Sequence, residues 1–146
     1  MKLHAVWIGR TKEAAIASLT QEYARRIARY NALECSELSN EGAVRKLLEK
    51  SGRTAPFLVV FDSRGKQMSS EQLAGFVGER LAGGTQELIF AIGPSDGWTP
   101  ELLQAARQKI SFGPITLPHE LARVVMLEQL YRAFTILNHH PYHGGH

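Results

Sequence analysis

Short apolar runs and apolar stripes spaced by three or four residues take turns along this chain. Leu3 to Ile8 is a run that suits a short buried strand. Ile16, Leu19, Tyr23, Ile27 and Tyr30 then step by three or four residues, which stacks them on one face of a helix. Leu33 to Leu38 reads as a weak second strand, and Val44, Leu47 and Leu48 as a short helix closed by Gly52. Phe57 to Phe61 is continuously apolar, with Pro56 before it and a turn, Asp62-Ser63-Arg64-Gly65, after it. That pattern suits a strand buried on both faces. Ser69 followed by Gln72 forms a capping-box pattern, so a helix through Leu73, Phe76, Val77 and Leu81 is expected, stopped by Gly83-Gly84. Glu87 to Ile92 is the next buried strand, ending in Gly93-Pro94-Ser95-Asp96-Gly97. Thr99 caps a helix with Pro100 at its first position. Ile110 to Phe112 is a short strand, Gly113 to Pro118 a loop, and the last helix runs from about His119 to Asn138, followed by a tail, His139 to His146.

Strand and helix thus alternate five times. Such alternation predicts an α/β fold: a mostly parallel sheet with helices on both faces. Ligands of such sheets sit beyond the carboxyl ends of the strands. Three glycine-containing segments fall there: Asp62 to Gly65, Gly93 to Gly97 and Gly113 to Pro118. The pattern locates a pocket without naming its occupant. The last helix is apolar round most of its girth, from Leu121 through Val124, Leu127, Leu130 and Phe134 to Leu137. One face should lie on the sheet and the other be covered by a second copy, so a homodimer is expected. Glu128 and Arg132 stand four apart in the favourable order for an ion pair.

The 146 residues fit one domain, 1–146, that buries roughly 70% of its unfolded surface. With 44% apolar and 21% charged residues the chain is not of disordered type. No apolar run is long enough to cross a bilayer. Met1 to Gly9 lacks both a long apolar stretch and a small-residue cleavage site, so no secretory signal is expected and the cytoplasm is the simplest location. The net charge of +3 permits an anionic partner without demanding one. Its basic clusters, Arg25-Arg26-Arg29 and Arg45-Lys46-Lys50-Arg53, read first as solvated helix faces.

Several chemistries drop out. There is no glycine-rich dinucleotide fingerprint, P-loop or nucleophile elbow. The one cysteine, Cys35, excludes an internal disulfide framework and a multi-thiolate zinc site, and it reads as a small hydrophobe. His139, His140, His143 and His146 crowd the tail with no neighbouring carboxylate, so no metal is expected. What remains is a tail that can stack on a base and exchange a proton. A pocket of backbone loops without an evident nucleophile suits a cofactor that carries its own reactive group, such as S-adenosylmethionine.

Three segments then bear a resemblance. Ile115-Thr-Leu-Pro-His-Glu-Leu-Ala-Arg-Val124, Glu128-Gln-Leu-Tyr-Arg-Ala-Phe134 and His140-Pro-Tyr-His143, in this order and spacing, resemble the RlmH family, SPOUT-class methyltransferases of 23S ribosomal RNA. Met1-Lys2-Leu3 and Glu22-Tyr23 with Arg25-Arg26 resemble it too, so the likeness covers essentially the whole chain. The resemblance implies a C-terminal trefoil knot, a homodimer, and S-adenosylmethionine-dependent methylation of N3 of a pseudouridine in helix 69, on assembled ribosomes. It implies that Phe61, Gly93 and the loop Gly113, Pro114, Ile115, Thr116, Leu117 and Pro118 hold the cofactor. Glycine at 93 and 113 would let backbone approach the ligand. It implies catalytic roles for Tyr142, in stacking or hydrogen bonding, and His143, as base or in positioning. Arg123 and Arg132 are candidates for RNA phosphate, with an ion pair to Glu128 as the alternative. Two positions depart from the family. The turn Ile92-Gly-Pro-Ser-Asp-Gly97 stands where Gly-Gly-Pro-Glu-Gly is common, and Gly144 follows His143 where a basic residue is usual. The rival expectations are a non-catalytic ribosome- or RNA-binding α/β module, and a metal hydrolase using the tail histidines.

Overall fold

The computed structural model describes residues 1–49 and 54–144. Gly52, Lys50, Arg53 and His146, each given a part above, lie outside the described residues. The elements run β1 (Lys2–Ile8), α1 (Ala14–Ala28), β2 (Leu33–Leu38), α2 (Glu41–Glu49), β3 (Phe57–Gln67), α3 (Ser70–Ala82), β4 (Glu87–Ile92), α4 (Pro100–Ala105), β5 (Gln108–Ser111) and α5 (His119–Leu137). The strands form one sheet in the order β2-β1-β4-β3-β5, and every pairing is parallel. β1 leads outward to β2 while its neighbour β4 leads the other way to β5, a reversal of the kind that opens a crevice at the carboxyl ends.

Each face of the sheet buries its own apolar layer. Leu3, Ala5, Val59, Leu88 and Phe90 face Ile27 of α1, Val77 of α3 and Leu127 of α5. Val6, Leu58, Val60, Ile89 and Ala91 face Val44 of α2 and Leu102 of α4. Alternate residues of one strand thus serve opposite layers, as a strand's period of two requires. The local signals act as expected. Ser69 accepts from Gln72 N while the Gln72 side chain accepts from Ser69 N, and Thr99 accepts from Leu102 N ahead of Pro100.

Three expectations about the elements change. β3 does not end at Phe61. Its pairing with β4 stops at Val60 opposite Ala91, but Phe61 and then Lys66 both pair with Ile110 of β5. Residues 62–65 are therefore a bulge inside a longer strand and not a terminal turn. Leu19 is 42% exposed, so the buried stripe of α1 is narrower than its spacing predicts. β5 begins two residues earlier than expected, at Gln108.

The apolar girth of α5 has a cover within its own chain. The helix packs between α1 and α3 on the sheet, and ten of its nineteen residues are buried. A terminal helix at the edge would need a second copy, but one seated between two neighbours does not. The apolar girth of α5 therefore does not by itself call for a second copy; Leu121 is exposed, and Val125, Glu128, Gln129, Arg132, Ile136 and Leu137 keep part of their surface. Among the described residues, no helix is long and apolar enough to cross a membrane.

Candidate active site

The bulge of β3 and the carboxyl ends of β4 and β5 open into a cleft of about 280 Å³. Its walls include Phe61, Gly93, Gly113, Ile115, Thr116 and Leu117, so six of the eight positions expected to hold a cofactor converge. Pro114 and Pro118 sit between and after these residues without lining the cleft themselves; both are exposed, and Pro118 starts α5. Ile115 is 66% exposed, an apolar side chain with nothing over it. Gly113 has φ +97°, a conformation that favours glycine, and open space where a Cβ would lie. The Phe61 and Phe112 rings stack at 4.6 Å.

Gly93 has a different reason from the one expected. A Cβ there would stand 2.7 Å from the Trp98 indole, so the glycine makes room for a side chain of this chain and not in the first place for a ligand. Trp98 in turn donates through Nε1 to the carbonyl of Phe61 at 3.1 Å, which ties the β4 turn to the bulge of β3. The departing turn closes normally, with Gly97 N donating to Pro94 O at 2.9 Å and Gly97 at φ +89°. Pro94, Ser95 and Gly97 line the cleft and Asp96 does not. Asp62 and Ser63, from the first of the three glycine-containing segments, line the cleft as well, and so do Ile92, Trp98, Ser111, Phe112, His119 and Ala122, none of which the sequence singled out as a site residue. Aromatic residues next to the glycine turns, Trp98 before the Thr99 cap and Phe112 before Gly113, were the available signal.

The tail residues gather elsewhere. Tyr142 donates its hydroxyl to Glu128 Oε2 at 2.8 Å, and its ring meets Tyr131 edge-on at 4.7 Å. Arg132 donates to the same carboxylate at 2.7 Å and lies over the Tyr142 ring at 4.9 Å. Arg132 Nη1 is 3.0 Å from His143 Nδ1, and His143 Nε2 is 3.3 Å from Glu71 Oε2. Arg132 thus takes the ion-pair alternative, with part of its surface still open. Burial pushes the Glu128 carboxyl up, but hydrogen bonds from Arg132, Tyr142 and Gln129 outweigh it and hold the group below the usual glutamate range. Burial, then the Glu128 carboxylate, push the Tyr142 phenol well above its ordinary value. Neither Tyr142 nor His143 lines the cleft of its own chain.

Arg123 is not placed to meet an RNA phosphate. It is fully buried, and its guanidinium donates to the Ile8 carbonyl at 3.1 Å and to Thr11 Oγ1 at 2.9 Å, with Trp7 beneath it. It closes the end of β1 and is out of reach of an RNA backbone. Of the basic clusters, Arg25 and Arg26 pair with Glu22, and Arg45 with Glu41. Burial, with the nearby Glu34 charge, pushes the Cys35 thiol up to about 11, consistent with an unreactive side chain. Among the described residues, no three His, Cys, Asp or Glu side chains gather as a metal site.

The model of a family described as "Predicted SPOUT methyltransferase" matches residues 1–143. The chain is 61% identical over 146 residues to ribosomal RNA large subunit methyltransferase H of Koribacter versatilis, covering 100% of both chains. It is 41% identical over 147 residues to the protein of that name from Deinococcus radiodurans, covering 99% of this chain and 100% of the other. Among solved structures it resembles a probable methylase family protein from Haemophilus influenzae (TM-score 0.57, 14% identity, 96% of this chain and 69% of that one). It also resembles the SpoU methyltransferase AviRb from Streptomyces viridochromogenes, solved with AdoMet (TM-score 0.54, 13% identity, 90% of this chain). The match spans 57% of the AviRb chain, and both structures are likenesses of fold.

Proposed function

As this chain belongs to the SPOUT methyltransferases, in the group named ribosomal RNA large subunit methyltransferase H, we propose that it transfers a methyl group from S-adenosylmethionine to ribosomal RNA of the large subunit. The finer reading is that the acceptor is N3 of a pseudouridine in helix 69, on the assembled ribosome. With it go the C-terminal trefoil knot, a homodimer and a place in the cytoplasm. The observation that carries the proposal is the cleft, where the β3 bulge, two strand ends, two stacked phenyl rings and an uncovered Ile115 converge.

The residues present suit the cofactor. Ile115, Leu117, Phe61 and Phe112 offer apolar walls, and the backbone of Gly93 and Gly113 to Leu117 offers amides and carbonyls, with room at Gly113 for close approach. When bound, S-adenosylmethionine supplies a methyl group on a cationic sulfur that leaves as a neutral thioether. The chain's part is alignment of the acceptor and care of its N3 proton. Tyr142 stays a phenol, since its environment opposes ionisation, so it acts by stacking or hydrogen bonding and not as a base. His143 acts on the acceptor beside it. Because both lie off the cleft of their own chain, a second copy is the means of bringing a tail to a cleft. Arg132 keeps a phosphate role only through the part of its surface left open beside Glu128.

The test is mass spectrometry of nucleosides from ribosomes of a strain lacking the gene, incubated with this protein and S-adenosylmethionine. A methylated pseudouridine from helix 69 is expected. Methyl at another nucleotide would overturn the finer reading, and no methyl in ribosomal RNA would overturn the whole.

A further inference from the structure

Two contacts of His143 decide where its ring carries hydrogen. Arg132 Nη1 lies 3.0 Å from Nδ1. A guanidinium has donors and no acceptor, so Nδ1 is the bare, accepting nitrogen. Nε2 lies 3.3 Å from Glu71 Oε2. An ionised carboxylate only accepts, and Glu71 is held below the usual glutamate range by its own backbone amide and by His143. Nε2 therefore carries the hydrogen. Both contacts select the same tautomer. Arg132 cannot drift from its post, because Glu128 takes its Nη2 at 2.7 Å and the Tyr142 ring lies 4.9 Å beneath it.

We propose that Arg132, anchored by Glu128, is a positioning residue that holds His143 with hydrogen on Nε2, so that the ring meets the RNA as a hydrogen-bond donor and not as the base. This rests on the proposed function, and it names what His143 does there. An imide N3 stands between two carbonyls, and charge gathers on their oxygens as the nitrogen loses its proton. A donor at Nε2 matches such an oxygen. Glu71, with 68% of its side chain exposed, is the group the oxygen would displace. The N3 proton passes to water, since the one lone pair of the ring faces a guanidinium.

The experiment is a long-range proton–nitrogen correlation spectrum of the full chain with ¹⁵N-labelled histidine, the His143 signals being those lost in His143→Gln. An unprotonated Nδ1 and a protonated Nε2 are expected. Arg132→Met should collapse the pair toward an average of both tautomers, and Arg132→Lys, which keeps a donor, should preserve it. A protonated Nδ1 in the unaltered chain, or a spectrum indifferent to Arg132→Met, would overturn the proposal. Single-turnover methyl transfer gives the second arm. His143→Gln keeps an N–H near the Nε2 position and should stay within about tenfold of the unaltered chain, while His143→Ala should lose on the order of 10²-fold. Equal losses would overturn the donor role. An unaltered chain that transfers no methyl would count against the proposed function, and the tautomer signals would still decide this inference for or against.

Discussion

At the scale of single residues, two arginines that look alike in sequence have opposite situations. Arg132 shares the Glu128 carboxylate with Tyr142 at the edge of the tail, whereas Arg123 is sealed at the end of β1. Replacing Arg123 by Met would strand the Ile8 carbonyl and Thr11. A loss of about 2 kcal/mol in chemical denaturation is expected, with RNA affinity and its salt dependence unchanged. A fall in RNA affinity at constant stability would restore the phosphate role. Glu128 sets the acid limit of the tail. Its folded-state pKa lies below the ordinary value, so the ionised carboxylate stabilises the folded tail at neutral pH, and that contribution fades as pH falls through the folded value. The ring signals of Tyr142 should therefore lose their dispersion from about pH 5 downward, before the core melts. Signals unchanged until global unfolding would remove Glu128 as the anchor.

At the scale of elements, what could be read in advance was what four consecutive residues decide. The Ser69–Gln72 box and the Thr99–Pro100 start are made of neighbours in sequence, and both are present. The bulge in β3 depends instead on β5, more than forty residues later, where Phe61 and Lys66 share Ile110. No local pattern carries that. The same holds for Gly65, whose Cβ would come within 2.7 Å of the Ile110 backbone. Gly65→Ala is expected to cost about 3 kcal/mol in denaturation, because backbone cannot yield as a side chain can. Gly93→Ala presses on the Trp98 indole instead, so it should shift the indole N–H signal and weaken S-adenosylmethionine binding about tenfold, at a smaller cost in stability. Equal stability losses in the two variants would mean that the Trp98 contact is as rigid as the strand pairing.

At the scale of the whole molecule, the alternation of elements was enough to foresee a parallel sheet, helices on both faces and a pocket at the carboxyl ends. It was not enough to foresee that α5 would sit between α1 and α3, since lateral order along a face is a matter of topology and not of periodicity. The cleft was legible through its glycines, and Trp98 was not, because its role arises from contact with Gly93 and Phe61. The separation of the tail from the cleft makes the proposed homodimer a functional matter. A Gly93→Ala chain mixed with a His143→Ala chain should recover part of the methyl transfer that each lacks alone. No recovery on mixing, with exchange of subunits verified, would confine each site to one chain.

The cleft itself is the claim from which the rest follows, and its occupant can be sought amide by amide. In a titration of the ¹⁵N-labelled protein with S-adenosylmethionine, followed by proton–nitrogen correlation spectra, saturable shifts are expected at the amides of Gly93, Gly97, Gly113, Thr116 and Leu117 and at the Trp98 indole N–H. The amides of β2 and α2 should stay still. Shifts centred on α2 or on the far end of the sheet, or a spectrum unmoved at saturating S-adenosylmethionine, would contradict the account.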